Sequence, residues 1–357
     1  MSSDYRIGSF NIQKLGRNSM LKKDLMKIGN LISDNKLDII AIQEISSKEA
    51  LREIMRCLDG QIVKESFSGT SIARDAYSYE TRNWESRWAK PISLVGGKTA
   101  EEGYAFIWKK SRIELPLNKR KEQSEPDIYL SGGKLIRPPF FGRFIVKSCN
   151  SEIRLINTHI VFKKTPVEDE EYENEESTSN DYEERIREYK VLANEIYQRA
   201  YTSSIGTRQV LTFILGDYNL WLIGSNSIDS KAGIPNDIQN FKYEGHEIKT
   251  IQNQKTTIRR KSTKDPNKVY FGEENLANNY DHFSYEKKLE DSIGIIAERI
   301  DAHNLYQITY QTIISASGEA FKNEFEAYRE RISDHLPIMM TLAISKRLER
   351  LINGIIR

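Results

Sequence analysis

The clearest structural preference in the chain belongs to the stretch Asp38-Ile-Ile-Ala-Ile-Gln-Glu44. Its isoleucines favour a strand over a helix, because β-branched side chains fit a pleated surface and lose rotamer freedom in a helix. An apolar run without alternation is typical of a strand covered on both faces. The stretch therefore predicts a central buried strand that ends at a carboxylate.

Similar apolar stretches are interleaved with segments of helical periodicity, and no repeat or Pro-rich linker divides them. Residues 64–100 and 224–278 are polar with weak periodicity, and we expect a long, partly irregular excursion over the first range and only weak structure over the second. This order predicts an α/β fold, a two-sheet β-sandwich flanked by helices, over residues 1–345. The predicted strands are 5–11, 38–44, 104–108, 143–146, 153–159, 210–215, 280–285 and 338–344, and the predicted helices are 21–32, 51–58 and 186–197.

Composition narrows the functional class. The chain has 53 basic and 51 acidic residues, a formal net charge of +2, which argues against non-specific coating of nucleic acid but permits a local basic cleft. Its two cysteines, Cys57 and Cys149, lack zinc-type spacing, and we expect packed, reduced thiols. We find no signal-peptide pattern and no apolar run long enough to span a membrane, so we expect a cytoplasmic protein without a membrane partner.

Polar side chains stand where the predicted strands end. Each is common alone: an Asn after a strand is usually part of a turn, and a single His is usually structural. Together they are harder to explain in that way, because strand ends in sheet-based folds display residues into a shared crevice. They are Asn11, Glu44, His159, Asp217, Asn219, Asp334 and His335.

Such a set suits metal-assisted hydrolysis of a phosphoester. A phosphodiester is anionic and repels hydroxide, so a hard cation is needed to neutralise charge, and Mg²⁺ prefers carboxylate and amide oxygens. A His or Asp can hold and deprotonate the attacking water. Donors to the developing phosphorane stabilise its charge.

At these positions the sequence resembles the endonuclease/exonuclease/phosphatase superfamily, and most closely its deoxyribonuclease I branch. The similarity runs in the family's order from residue 5 to about 344, and its GDxN and SDHxP motifs are jointly specific. The segments that carry it are Ser9-Phe-Asn11-Ile-Gln13, Asp38–Glu44, Tyr104–Trp108, Arg137-Pro-Pro-Phe140, Asn157-Thr-His159, Leu215-Gly-Asp217-Tyr-Asn219, Tyr280–Phe283 and Ser333-Asp334-His335-Leu-Pro337.

The resemblance implies the deoxyribonuclease I-like fold and a role for each matched residue. Glu44 would be the principal ligand of Mg²⁺, for which Mn²⁺ could substitute, with Asn11 and Asp334 as further ligands. Asp217 would orient or deprotonate the attacking water, and Asn219 would hold a phosphate oxygen.

The resemblance also implies that the two imidazoles of His159 and His335 flank the scissile phosphate as acid/base groups or donors. Asp281 would orient His335, and Glu102 would pair with His159. Arg137 matches an arginine that contacts substrate phosphate in that branch. We place Tyr104 with Arg137 as a substrate-binding residue.

The sequence departs from the branch in three places. Lys98-Thr-Ala100 stands where the branch has a DNA-contacting Tyr, which leaves groove contacts there in doubt. His282 occupies a variable position, and we interpret it as structural or as a minor contact. The acidic run 168–176 is typical of a solvated loop, although near the cleft it would repel DNA.

These features favour a metal-dependent endonuclease that hydrolyses DNA backbone phosphodiesters. Arg137-Pro-Pro and the strand at Tyr104 favour DNA over the alternative, a small or lipid phosphoester cleaved by the same apparatus. A catalytically inactive binding module is a further alternative. Loss of Glu44, Asp217 or His335 would indicate such a module, and all are present.

The C-terminal residues 346–357 form a separate predicted element. Their apolar residues recur at helical spacing with basic residues between them, which predicts an amphipathic helix. Such a helix could dock on its own domain, bind a protein partner or mediate self-association.

Overall fold

Two mixed sheets carry most of the backbone pairing in the computed structural model. The described residues are 3–344, with gaps at 69–72, 92–101, 119, 130–133, 150, 161–177, 203, 223–232, 235–239, 244, 253, 260–269, 271 and 316–317.

The first sheet has eight strands in the order β18-β19-β1-β2-β6-β5-β4-β3. β1 and β2 run parallel at its centre, and the predicted strand 38–44 is β2, buried along nearly its whole length. The strands are β1 (Ser3–Leu15), β2 (Ile39–Ile45), β3 (Lys64–Phe67), β4 (Ala73–Glu80), β5 (Trp84–Pro91), β6 (Tyr104–Lys109), β18 (Gly294–Arg299) and β19 (Ile338–Ile344).

The second sheet has nine strands, with the path β15-β16-β17-β12-β10-β9-β7 and two short additions, β11 on β12 and β8 on β9. β10 and β12 are its parallel pair. The strands are β7 (Ile113–Glu114), β8 (Asp127–Ile128), β9 (Phe140–Val146), β10 (Ser151–His159), β11 (Ser204–Ile205), β12 (Arg208–Asp217), β15 (Asn240–Tyr243), β16 (His246–Ile251) and β17 (Asp281–Glu286). β13 (Trp221–Leu222) and β14 (Gly233–Ile234) form a separate pair.

The helices begin and end at recognisable caps. α1 (Leu25–Asp34) is capped by Asp24, whose side chain accepts from the Lys27 N–H, and α2 (Lys48–Asp59) by Ser47. α2 ends at Gly60, with φ 77°. The remaining helices are α3 (Thr178–Val191), which continues through a π-turn at Leu192–Ile196 into α4 (Tyr197–Ala200), and α5 (Glu324–Arg331).

Apolar side chains form three layers. One cluster fills the space between the two sheets and includes Ile7, Ile39, Phe106, Phe144, Leu155, Phe213 and Met340. A second lies between the first sheet and α1, α2 and α5. The third joins the second sheet to α3 and α4. Burial of each large aliphatic side chain contributes about 1.5–3 kcal/mol. The architecture confirms the predicted α/β sandwich with helices outside.

The structure differs from the predicted elements in four places. Leu21 is 82% exposed in a 3-10 turn, and α1 begins only at Leu25, because Asp24 caps it there. Residues 64–100 include β3, β4 and β5; buried Arg87, neutralised by Glu125 at 2.9 Å, interrupts the apolar alternation that marks a strand. Residues 224–278 include β14, β15 and β16, and we did not predict β18.

Some expectations fall beyond the described part of the chain. The loop 98–100, the acidic run 168–176 and the helix over 346–357 lie outside the described residues, so they stay predictions. Cys57 and Cys149 are free thiols, as expected. No helix among the described residues is long and apolar enough to cross a membrane.

Candidate active site

Strand register brings His159, Asp217 and Asp281 into one row. His159 at the end of β10 is the register partner of Asp217 at the end of the parallel strand β12. Asp217 is in turn the partner of Asp281, the first residue of antiparallel β17. Three side chains from distant parts of the sequence therefore lie side by side where neighbouring strands of the second sheet end or begin.

The first sheet contributes Asn11 and Glu44 to the same edge. The side-chain amide of Asn11 donates to Glu44 Oε1 and to Asp217 Oδ2, both at 2.9 Å. The Asn11 oxygen accepts from the backbone N–H of Gln13 at 3.0 Å. In this arrangement Asn11 presents its nitrogen to the site, where it holds two carboxylates together across the two sheets.

The backbone is unusual where these residues lie. Gln13, Lys14, Glu44 and Asn219 all have positive φ, between 48° and 59°. For non-glycine residues this left-handed region is strained, and such strain persists where the surroundings impose it, often at functional sites. At Lys14 it directs the backbone N–H to Glu44 Oε2, at 3.0 Å. The irregularity near the end of β1, between Asn11 and Leu15, thereby orients the Glu44 carboxylate.

His335 is fixed from three sides. Its Nδ1 lies 2.9 Å from Asp281 Oδ2, and its Nε2 lies 3.7 Å from Asp217 Oδ2. The Ser333 hydroxyl donates to the Asn11 carbonyl and accepts from the His335 N–H, which ties this segment to β1. Thr257 forms an isolated bridge with His335. The loop around residues 255–257 therefore borders the site.

The electrostatics of the row favour opposite charges on neighbouring groups. Burial disfavours the His335 imidazolium, but Asp281 and Asp217 outweigh this effect and raise the pKa of His335 well above its ordinary value. Burial raises the pKa of Asp217, although His335 and His159 act in the opposite direction. His335 is thus suited to donate a proton, and Asp217 is a stronger base than an exposed Asp.

His159 is held by a second carboxylate and by an arginine. Its Nδ1 is 3.1 Å from Glu102 Oε2 and 2.8 Å from Arg137 Nη1, and Arg137 also pairs with Glu102 at 2.9 Å. Nδ1 thus lies between a guanidinium, which donates, and a carboxylate, which accepts, and these two neighbours fix the orientation of the ring. Nε2 faces Asp217 Oδ2 at 3.6 Å and Glu44 Oε1 at 3.8 Å.

Asn219 and Tyr104 are more deeply buried than we expect of residues that contact the substrate directly. Asn219 is 6% exposed, and its amide donates to the carbonyl of Ile160 at 2.8 Å. Its backbone N–H donates to Asp217 Oδ1, which helps to orient that carboxylate. Tyr104 is 2% exposed and stacks on Phe140.

The donor set fits a hard divalent cation. Glu44, Glu102 and His159 offer ligand atoms within 4.8 Å of one another, and Asp217, Asp281 and His335 form a second such group. Among the described residues, Asp281 Oδ1 is buried without a hydrogen-bond partner. Asp334 is half-buried, and its backbone oxygen accepts from Ile258. Oxygen-rich, largely anionic surroundings are what Mg²⁺ and Mn²⁺ prefer.

Sequence reasoning missed the residues that support the site. Gln43 donates to Asn157 Oδ1 at 2.7 Å, and Asn157 donates to the Ile42 carbonyl, so a buried amide pair joins the two sheets directly behind Glu44. Both stand beside motif residues, which is the one signal that could have identified them. His282 is fully buried, with ring nitrogens near the carbonyls of Gln252 and Leu220, which supports its structural interpretation.

Comparisons with known proteins give the fold an independent test. No protein-family model and no curated protein sequence matches the chain. An endonuclease/exonuclease/phosphatase family protein from Bacteroides thetaiotaomicron matches in structure with a TM-score of 0.51 and 12% identity, over 96% of this chain and 98% of that one. The mannosyl-6-phosphatase of the same organism matches with a TM-score of 0.50 and 13% identity, over 95% and 99%.

A truncated TDP2 from Caenorhabditis elegans is also similar, with a TM-score of 0.48 and 14% identity over 95% of this chain and 98% of that one. The first two matches show that this chain has the fold of endonuclease/exonuclease/phosphatase proteins. The resemblance seen in the sequence is therefore confirmed at the level of the fold.

Proposed function

We propose that the protein is a divalent-metal-dependent phosphodiesterase, and specifically an endonuclease that hydrolyses the DNA backbone with an activated water. One observation carries the proposal: two imidazoles, His159 and His335, direct Nε2 at the same buried carboxylate, Asp217. Each has a carboxylate at its other nitrogen, Glu102 or Asp281. A base between two oriented imidazoles suits in-line displacement at phosphorus.

In this proposal Asp217 takes a proton from water as the water oxygen bonds to phosphorus. The P–O bond to the leaving oxygen breaks, and the imidazolium of His335 gives its proton to that oxygen. The 3.7 Å separation between Asp217 Oδ2 and His335 Nε2 then allows the proton to return to His335. His159 donates from Nε2 to a non-bridging oxygen, and Arg137 moves from Glu102 to the phosphate.

The residues that would hold the metal are Glu44, Asp334 and Asn11. The bound ion would supply Lewis-acid polarisation of the phosphate and neutralise its charge. The Lys14 N–H keeps Glu44 oriented toward this position. Carboxylates without a bound cation repel an anionic substrate, so substrate binding should require the metal.

Basic residues on both sides of the site support a polyanionic substrate. Residues 12–23, which follow the metal-binding end of β1, contain four basic residues and no acidic one. Lys14 and Lys22 there are exposed. Arg259 is exposed next to Ile258, which bonds to the Asp334 carbonyl on the other side. Cations spread along a surface suit the regularly spaced phosphates of DNA.

A sugar phosphatase is the second candidate. It is favoured by the structural match to a mannosyl-6-phosphatase, and the same imidazoles and carboxylates would serve a monoester. The two candidates differ in what must lie around the scissile phosphate. A monoesterase needs a closed pocket for one sugar, whereas an endonuclease needs an open, basic path for the chain.

The test compares two substrates at equal enzyme concentration, with Mn²⁺ and with EDTA. We expect nicking of supercoiled plasmid that requires metal and weakens steeply as salt is raised, because phosphate contacts displace counterions. Release of phosphate from mannose 6-phosphate without nicking would reject the endonuclease and leave the monoesterase. A well-folded protein inactive on both would reject both candidates.

A further inference from the structure

Lys23 occupies a position that none of the roles above explains. Its ammonium donates to Gln13 Oε1 at 3.2 Å, and Gln13 follows Asn11 by two residues in the strained irregularity near the end of β1. Gln13 also donates its backbone N–H to the Asn11 side chain. A lysine before α1 is thus linked through one residue to the centre of the candidate metal site.

The backbone next to Lys23 is tied to the segment that bears Asp334. The N–H of Asp24 donates to the Arg331 carbonyl at 2.7 Å, at the end of α5 and three residues before Asp334. The Asp24 side chain caps α1 and accepts from the Tyr306 hydroxyl. The backbone at Lys23 is therefore fixed beside the segment that bears Asp334.

The carboxylates with the largest electrostatic effect on Lys23 are two of the proposed metal ligands, Asp334 and Glu44. Burial lowers the pKa of Lys23 to about 8, and Asp334 and Glu44 are the groups that oppose this most strongly. The side chain thus remains mainly protonated at neutral pH. The two carboxylates that would bind the divalent ion thus also attract the Lys23 ammonium through space.

We propose that Lys23 is a resident cation that weakens metal binding until a phosphate enters the site, so that metal and phosphate bind cooperatively. An ammonium and a divalent ion repel each other when they share carboxylates in a partly buried site. A phosphate beside both cations offsets that repulsion. Coupling of this kind is reciprocal, so the metal strengthens phosphate binding by the same factor.

This inference rests on the proposed function, because it takes Glu44 and Asp334 as the metal ligands. Binding of Mn²⁺ can be followed without turnover by the electron paramagnetic resonance of the free ion, with and without inorganic phosphate. We compare the wild type with Lys23→Met, which keeps most of the length of the side chain and removes its charge. Lys36→Met, at an exposed lysine just after α1, is the matched control.

For the wild type we expect weak binding of Mn²⁺ that phosphate strengthens. Lys23→Met should bind Mn²⁺ alone about tenfold more tightly and lose most of the effect of phosphate. Lys36→Met should stay within about twofold of the wild type, because an exposed charge is screened. Lys23→Arg should retain the coupling.

Equal or weaker binding of Mn²⁺ by Lys23→Met would overturn the role of Lys23, as would an unchanged effect of phosphate. Glu44→Gln separates this failure from that of the proposed function. If Glu44→Gln binds Mn²⁺ as the wild type does, both the assignment of the metal site and the role of Lys23 are rejected. If Glu44→Gln loses binding while Lys23→Met is unchanged, only the role of Lys23 is rejected.

Discussion

The side-chain amide of Asn11 donates to Asp217 Oδ2 at 2.9 Å and joins the two sheets at the centre of the candidate site. The same nitrogen donates to Glu44 Oε1. Two carboxylates that would otherwise repel each other are thereby kept in place by one neutral donor. The proposed base and the proposed metal ligand are positioned as a unit.

Asn11→Asp should therefore be more harmful than Asn11→Ala. The added carboxylate would face Glu44 and Asp217 and remove their shared donor, whereas alanine removes only the donor. We expect a lower Tm for Asn11→Asp than for Asn11→Ala in EDTA, and a smaller difference with Mn²⁺, measured by calorimetry. Equal Tm values in EDTA would show that the repulsion is unimportant.

The pH dependence of kcat/KM should have two limbs. Activity should fall at low pH as Asp217 is protonated, at a pKa that burial raises above the ordinary Asp value. It should fall at high pH as His335 loses its proton, at a pKa that Asp281 and Asp217 raise well above the ordinary His value. Asp281→Asn removes a group that raises the His335 pKa, so the basic limb should move to lower pH.

A pH profile of plasmid nicking by Asp281→Asn and by the wild type measures this shift. If the basic limb stays in place while activity drops at all pH values, Asp281 positions His335 without setting its proton affinity. A basic limb that moves to higher pH would contradict the assignment.

Glu102→Gln should lower kcat and leave the fold intact. The substitution removes the charge that pairs with Arg137 and approaches His159 Nδ1 at 3.1 Å. We expect a loss of about 10²-fold in nicking rate, at the lower end of the contribution of an oriented acid/base group. As a control, Glu290→Gln removes the carboxylate of an ion pair with Lys249, which lies away from the active-site residues. This variant should retain full activity. Equal effects of the two variants would remove Glu102 from the site.

Gly216 should be irreplaceable for backbone reasons. Its φ is 142°, and an added Cβ would lie 1.9 Å from the Thr158 carbonyl oxygen, in the strand that bears His159. Gly216→Ala should cost more than about 4 kcal/mol in the free energy of unfolding. Gly206→Ala, at φ 60° with open space around it, should cost only about 1–2 kcal/mol. Urea denaturation separates the two, and similar costs would contradict the clash.

The buried strands were predictable because their physical requirement is local. β2 needs apolar, β-branched residues in sequence, and the stretch 38–44 supplies them. The strand-end residues were predictable because parallel strands bring their carboxyl ends to one edge, as His159 and Asp217 show. The expected pairs of His335 with Asp281 and of Glu102 with His159 lie within 3.1 Å.

What could not be predicted depends on distant partners. Arg87 is buried in β5 because Glu125 and two serines surround it, and its own strand gives no sign of this. Lys23 lies beside the segment that bears Asp334 because Asp24 bonds to Arg331, 307 residues further along the chain. Contacts over such separations leave no periodicity in the sequence, so both residues look like ordinary surface charges.

The decisive measurement is the rate of plasmid nicking by His335→Ala with Mn²⁺, beside His246→Ala as the control. His246 pairs with Glu286 at 2.9 Å, the same separation as His335 and Asp281, but at the other end of β17. We predict nicking by the wild type and by His246→Ala, and a loss of about 10²–10⁴-fold for His335→Ala. Wild-type nicking rates from a folded His335→Ala protein would contradict the assignment of the active site.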